Sequence, residues 1–193
     1  MNLTLHEVAH LVHAKNDISQ FEDVALVKPE FDSRLIGSGD LFVPLKGARD
    51  GHDFIETAFE NGAVATFSEK VVEGHPYILV EDVLSAFQTL AAAYLQKTKV
   101  DVYAVTGSNG KTTTKDMLAQ LLSTTYLTYK IQGNYNNEIG LPKTLLRLTA
   151  EHEACVVEMG MRGLGQIEEL ALIAEPTMGI ITNVGTSHIE LLG

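Results

Sequence analysis

Apolar residues follow two different rhythms along this chain, and the change between them divides it. Leu5, Val8, Ala9 and Val12 recur at helical spacing. They overlap Thr4-Leu5-His6-Glu7, where Thr4 stands as a helix cap and Glu7 as its reciprocal partner. The texture then turns to short apolar runs between polar turns. Residues 24–27 and 41–45 are predicted strands, separated by Asp32-Ser33-Arg34 and by Gly37-Ser38-Gly39-Asp40. A helix is expected from about residue 54 to 61, stopping at Gly62, with strands at 63–67 and 77–80. Asp82 is placed to cap a long helix reaching about Lys97.

From Val100 onward the alternation is cleaner. Val102-Tyr103-Ala104-Val105 is a β-rich run that ends in a glycine loop. A helix is predicted from 111 to about 123, with Met117, Leu118, Leu121 and Leu122 on one side. A strand at 155–158, a helix at 166–174 and a strand at 179–184 follow. Strands alternating with helices imply βαβ units and a parallel sheet. The expected class is therefore α/β: a small α/β domain over residues 1–98, then a parallel-sheet domain over 99–193, with the boundary near Lys97 to Lys99.

A length of 193 residues is enough for one large or two small domains. Hydrophobic residues at 45% and charged ones at 20% are a globular mixture. Acidic residues outnumber basic ones 25 to 14, a net charge of -11, which argues against general binding to nucleic acid or an anionic membrane. A polyphosphate would have to be held by a local site working against that field. Cys155, the single cysteine, cannot form an internal disulfide, and its setting in Ala154-Cys155-Val156-Val157 reads as a buried, inert thiol. His6, Glu7, His10 and His13 interrupt any leader-like apolar start, and no apolar run is long enough to span a bilayer. The reading is a soluble, cytoplasmic protein without stable membrane insertion.

Candidate chemistry centres on Thr106-Gly107-Ser108-Asn109-Gly110-Lys111-Thr112-Thr113. A strand, a tight glycine turn and a helix make a polyphosphate site, because the turn's N–H groups and the positive helix end converge on the anion. Lys111 suits the β- and γ-phosphates of ATP, and the Thr112 hydroxyl suits Mg²⁺. The general G-x-x-x-x-G-K-[ST] pattern needs glycine at 105, where this chain has Val105. The alternative is a Gly/Asn turn followed by a Thr-rich helix start.

This loop resembles the variant phosphate loop of the Mur ligases. Asn134-Tyr135-Asn136-Asn137-Glu138-Ile139-Gly140-Leu141-Pro142 resembles the segment of the members that add D-alanyl-D-alanine. Glu158-Met159-Gly160 with Gly165-Gln166-Ile167 is similar to the family's glutamate loop, and the segment from Asn183 to His188-Ile189-Glu190 to its second metal-binding segment. Asp32-Ser33-Arg34 and Asp50-Gly51-His52-Asp53-Phe54 resemble the part that holds the UDP-sugar precursor. The resemblance implies an ATP-dependent, Mg²⁺-assisted ligase joining D-alanyl-D-alanine to UDP-N-acetylmuramoyl-tripeptide through an acyl phosphate, in peptidoglycan synthesis. It assigns ATP to residues 107–113, namely Gly107, Ser108, Asn109, Gly110, Lys111, Thr112 and Thr113. It gives catalytic roles to Lys111, Glu158 and His188, and metal ligation to Thr112, Glu158 and His188. Substrate contacts are implied for Ser33, Arg34, Lys46, His52, Asn136 and Asn137. It also implies a three-domain protein, of which residues 1–193 would be an inactive part.

Other readings stay open at this point. Taken alone, Glu158 is equally a charge capping a buried strand, and His188 a loop histidine bonded to backbone. His6-Glu7-Val8-Ala9-His10 is a literal H-E-x-x-H, able to hold Zn²⁺ on a helix if a third ligand joins it. A tripeptide-forming or folylpolyglutamate-type ligase would share the phosphate loop. So would a kinase or GTPase, although no guanine-reading motif is evident.

Overall fold

The computed structural model describes residues 1–133 and 135–185. His188, Ile189 and Glu190, like Asn134, lie outside the described residues. The chain divides into two compact units, Met1–Leu90 and Ala91–Gly193. The division falls inside a helix, whereas the sequence reading put it a few residues later, at that helix's end.

In the first unit, β1 (Leu3–Thr4) leads directly into α1 (Leu5–Leu11). The expected capping box is present: the Thr4 hydroxyl accepts the Glu7 N–H (3.3 Å) and the Glu7 carboxylate accepts the Thr4 N–H (2.9 Å). Strand β2 (Ala25–Leu26) pairs antiparallel with β1, and then comes β3 (Pro29–Glu30). A 3₁₀ turn at Ser33–Leu35, β4 (Asp40–Phe42), a second 3₁₀ turn at Gly51–Phe54 and α2 (Ile55–Glu60) precede β5 (Ala63–Ser68) and β6 (Tyr77–Leu79). Strands β3-β4-β5-β6 form one parallel sheet in that order. The strand predicted at 41–45 is shorter and starts earlier, since Pro44 has no N–H to continue a ladder. The core beside the sheet packs Ile36, Phe42, Ile55, Ala58 and Ala63 with Phe54, Phe59 and Val72.

Asp82 caps α3 (Val83–Thr98) as expected, its carboxylate accepting the Ser85 N–H (2.7 Å). The second unit continues with β7 (Asp101–Thr106), α4 (Lys111–Leu122), β8 (Thr128–Lys130), α5 (Gly140–Leu145), β9 (Ala154–Glu158), α6 (Gln166–Ala174) and β10 (Met178–Ile181). Its sheet is parallel throughout, in the order β10-β7-β9-β8. The connection leaving β7 runs past β9 to edge strand β8, while that leaving β9 runs past β7 to β10. Adjacent strands whose connections depart to opposite sides open a crevice at their carboxyl ends, where ligands of such sheets bind. The loops after β7 and β9, carrying Lys111 and Glu158–Gly160, flank that crevice.

Helix α4 differs from expectation in the face it buries. Leu118 and Leu122 pack with Val105, Ala119 and Val156, but Met117 and Leu121 are each 67% exposed. At about 100° per residue, the apolar stripe is centred between Leu118 and Lys115–Ala119, leaving Met117 and Leu121 beyond its margin. Strand β10 is also shorter than predicted: pairing ends where Ile181 meets Thr106, the last residue of β7. In the second unit two elements were not anticipated. β8 is a three-residue edge strand, and α5 was masked by Gly140 and Pro142, although proline is harmless in a helix's first turn.

Candidate functional site

The loop after β7 turns sharply at Gly107, with φ of 132°. A Cβ there would lie 2.2 Å from the Thr182 hydroxyl, so the position needs glycine for both its conformation and its close approach. Helix α4 begins at Lys111, and its first intrahelical bond runs from the Thr114 N–H to the Gly110 carbonyl (3.0 Å). The N–H groups of Lys111, Thr112 and Thr113 therefore have no intrahelical acceptor and point out at the positive end of a 12-residue helix. The Lys111 ammonium folds back to donate to the Gly107 carbonyl (2.6 Å).

Glu158 ends β9 and is 4% exposed. One carboxylate oxygen accepts the Thr112 hydroxyl (2.8 Å) and the other the Asn136 amide (2.8 Å). Both partners are neutral, so the carboxylate is a buried charge with no cation in hydrogen-bonding reach among the described residues. Buried charges are normally paired or bound to metals. Oxygen donors of this kind, one carboxylate and one hydroxyl, are the set a Mg²⁺ ion takes. Among the described residues no group of three or more His, Cys, Asp or Glu is arranged to hold a metal.

Asn136 is held in place from behind: its carbonyl accepts the Gly160 N–H (2.9 Å), and its side chain lies 3.0 Å from where a Cβ on Gly160 would stand. Asn137 does something different. Its carboxamide oxygen accepts the Gly140 N–H (2.8 Å), which secures the start of α5. A cleft of about 570 Å³ opens beside these residues, lined by Lys111, Asn136, Asn137, Glu138, Arg162 and Gln166 among others. The Gln166 side chain shapes its rim by accepting the Arg162 N–H (2.6 Å). Sequence reasoning assigned no role to Arg162 and named Gln166 only within the segment similar to the glutamate loop. It named Asn183 only within a segment and missed Thr182.

The remaining candidates belong to the first unit. Ser33 and Arg34 sit in the first 3₁₀ turn, where the Arg34 guanidinium grips the Asp32 carboxylate (2.7 and 2.9 Å), a bond that raises its already high pKa. Lys46 and His52 meet around Glu69. The Lys46 ammonium is paired with the Glu69 carboxylate, which lifts the lysine pKa and depresses the glutamate's. His52 Nε2 accepts the Glu69 N–H (3.2 Å), which puts the ring proton on Nδ1 as donor to Asp50 (2.7 Å). That backbone and ring contact of His52 holds the Asp50 carboxyl below its usual range.

The H-E-x-x-H reading finds no support in this geometry. Glu7 is committed to the capping box, and the His6 ring nitrogen contacts the Phe21 carbonyl (3.0 Å).

Comparison with known proteins settles the family. The description "Mur ligase family, catalytic domain" matches residues 30–126, and "Mur ligase middle domain" matches 105–193. The chain belongs to the Mur ligase family. It is similar to the UDP-N-acetylmuramoyl-tripeptide–D-alanyl-D-alanine ligase of Synechocystis, at 50% identity over 89% of this chain and 39% of the relative. The enzyme of the same name from Bacillus subtilis is 45% identical over 98% of this chain and 43% of its own length. Among solved structures, MurF from Acinetobacter baumannii superposes with a TM-score of 0.92 at 32% identity, covering 99% of this chain and 42% of that one. MurF from Thermotoga maritima, solved in complex with ADP, gives 0.78 at 39% identity, covering 84% and 38%. The chain thus spans about two fifths of the length of these Mur ligase relatives.

Proposed function

We propose that this chain supplies the UDP-sugar-binding and nucleotide-binding parts of an ATP-dependent ligase that joins D-alanyl-D-alanine to UDP-N-acetylmuramoyl-tripeptide. The observation that carries this reading is the crevice between β7 and β9. It brings the Lys111 ammonium, the N–H groups opening α4 that have no intrahelical acceptor and the Thr112–Glu158–Asn136 chain of bonds to one place. The names of the relatives and the ADP in a related structure support the substrate and the nucleotide.

In the proposed reaction the tripeptide carboxylate attacks the γ-phosphorus of ATP and ADP leaves; the amine of D-alanyl-D-alanine then attacks the acyl carbon of the acyl phosphate, and inorganic phosphate leaves as the amide forms and the amine gives up a proton. Such chemistry asks the protein for positioning and charge neutralisation rather than covalent help. Gly107, Ser108, Asn109 and Gly110 shape the loop. Lys111 and the first-turn N–H groups, including those of Thr112 and Thr113, take the phosphates. Thr112 and Glu158 are the residues that would hold Mg²⁺, with His188 a third candidate from the resemblance; the ion would neutralise charge on the phosphates. Asn136 fixes the orientation of Glu158, and Asn137 holds the neighbouring backbone in register. Ser33, Arg34, Lys46 and His52 are assigned to the UDP-sugar substrate, and a location in the cytoplasm follows from that substrate's chemistry.

The test uses the full-length ligase that contains this segment. Phosphate release should require ATP, Mg²⁺, the UDP-tripeptide and D-alanyl-D-alanine together. Release with a free amino acid in place of the dipeptide would instead favour a tripeptide-forming ligase. Residues 1–193 alone should bind ligands without turnover. Release at a rate typical of enzymes, on the order of 1 per second or more, would contradict the reading that the remaining domains are needed.

A further inference from the structure

The phosphate loop is held in shape by residues far away in sequence. Beyond the last ladder pair, the Thr182 N–H donates to the Thr106 carbonyl (2.9 Å), and the Thr182 hydroxyl donates to the Asn109 carbonyl (2.6 Å). The Asn183 main-chain carbonyl accepts the Ser108 N–H (3.1 Å), and its side-chain oxygen accepts the Asn109 N–H (2.8 Å). Gly185 adds a bond from its N–H to the Ser108 hydroxyl (2.8 Å). Successive peptide groups from 106/107 to 109/110 are each fixed through one of their polar atoms. A strand merely running on would use backbone alone; here a hydroxyl and a carboxamide do half the holding.

We infer that Thr182 and Asn183 are positioning residues for nucleotide binding, clamping the phosphate loop so that its remaining donors face the phosphates. The inference rests on the ATP site proposed above. The N–H groups of Ser108 and Asn109 are consumed by Asn183, so they do not serve as phosphate donors in this arrangement. In a trans peptide the C=O and N–H point in opposite directions. Pinning the Asn109 carbonyl towards Thr182 therefore turns the Gly110 N–H away from Thr182, alongside the orphan N–H groups of Lys111, Thr112 and Thr113. Gly107 belongs to the same device, because any side chain there would collide with the Thr182 hydroxyl. Nucleotide affinity then depends on a contact reaching across 73 positions of sequence.

The experiment compares Thr182→Val, Thr182→Ser and Asn183→Ala with the parent chain, by calorimetry with ATP and Mg²⁺ and by amide hydrogen exchange. Loss of one such bond should weaken ATP binding about tenfold in Thr182→Val and in Asn183→Ala. Thr182→Ser, which keeps the hydroxyl, should stay within about twofold, and binding of the UDP-sugar substrate should not move in any variant. Thr182→Val and Asn183→Ala binding ATP as tightly as the parent would overturn the clamp. If the parent itself binds no ATP, the proposed nucleotide site fails, and exchange still decides the clamp. Protection of the Asn109 amide that disappears in Asn183→Ala supports it, and an Asn109 amide already unprotected in the parent refutes it.

Discussion

Cys155 shows how fully one side chain's chemistry is set by its surroundings. It lies on β9 between parallel neighbours, paired with Val102 on one side and Tyr129 on the other, and is fully buried. Burial disfavours the thiolate and pushes the thiol up to about 12. The sign is plain: a raised pKa keeps the neutral form through the neutral and mildly alkaline range, so the reactive thiolate is suppressed there. The folded chain should leave a disulfide reagent such as dithionitrobenzoate unreacted at pH 8 and release one equivalent on unfolding; fast reaction of the native chain would show the strand is open. Glu158, three residues on, is buried to a similar degree but is answered by Thr112 and Asn136. Removing the Asn136 amide should cost more than removing an exposed amide, because the carboxylate loses a buried donor. Asn136→Ala is expected to lower stability by about 1–3 kcal/mol in urea unfolding. An unchanged midpoint would mean that water replaces the amide freely. At this scale the Lys46–Glu69 pair also sets a pH window. The depressed Glu69 contributes stability above its unfolded pKa that is lost as pH falls through the folded value. The raised Lys46 loses its share only as pH climbs through its own folded pKa.

Elements were legible in the sequence where period and punctuation agreed. α1 announced itself by Thr4 and Glu7, α3 by Asp82, and β7–α4 by an apolar run entering a glycine loop. β8 and α5 were not legible. A three-residue edge strand has no period to detect, and Pro142 and Gly140 suppress a helix that tertiary burial stabilises. The face of α4 was misread because four apolar residues at 117, 118, 121 and 122 span more of the helix circumference than one packed stripe. Leu118→Ala should therefore destabilise the chain by about 2 kcal/mol, by loss of packing against Val105 and Val156. Met117→Ala, on an exposed position, should stay within about 0.5 kcal/mol. Equal shifts in the denaturation midpoint would put Met117 back in the core. Of the residues named for the candidate site, Lys111, Thr112 and Glu158 lie where the strand and loop pattern put them, after β7 and at the end of β9. Thr182 and Asn183 were not, because their role comes from sheet order: only the adjacency of β10 and β7 brings them to the loop.

At the scale of the whole molecule, a chain of two α/β units carries an excess of acidic residues. Net charge of -11 repels a polyphosphate at long range, so affinity must come from donors fixed in place rather than from the general field. Among the described residues no helix is long and apolar enough to cross a membrane. The crevice between β7 and β9 is the place proposed above for the nucleotide. The most direct test is calorimetric titration of ATP with Mg²⁺ into the chain, into Lys111→Ala and into Lys97→Ala. Lys97 is an exposed cation near the end of α3 and does not follow the glycine turn, so it serves as the comparison. Binding should fall by about tenfold or more in Lys111→Ala, as expected for a charge-assisted bond to phosphate, and stay unchanged in Lys97→Ala. Equal losses in the two variants would contradict a phosphate site at this loop.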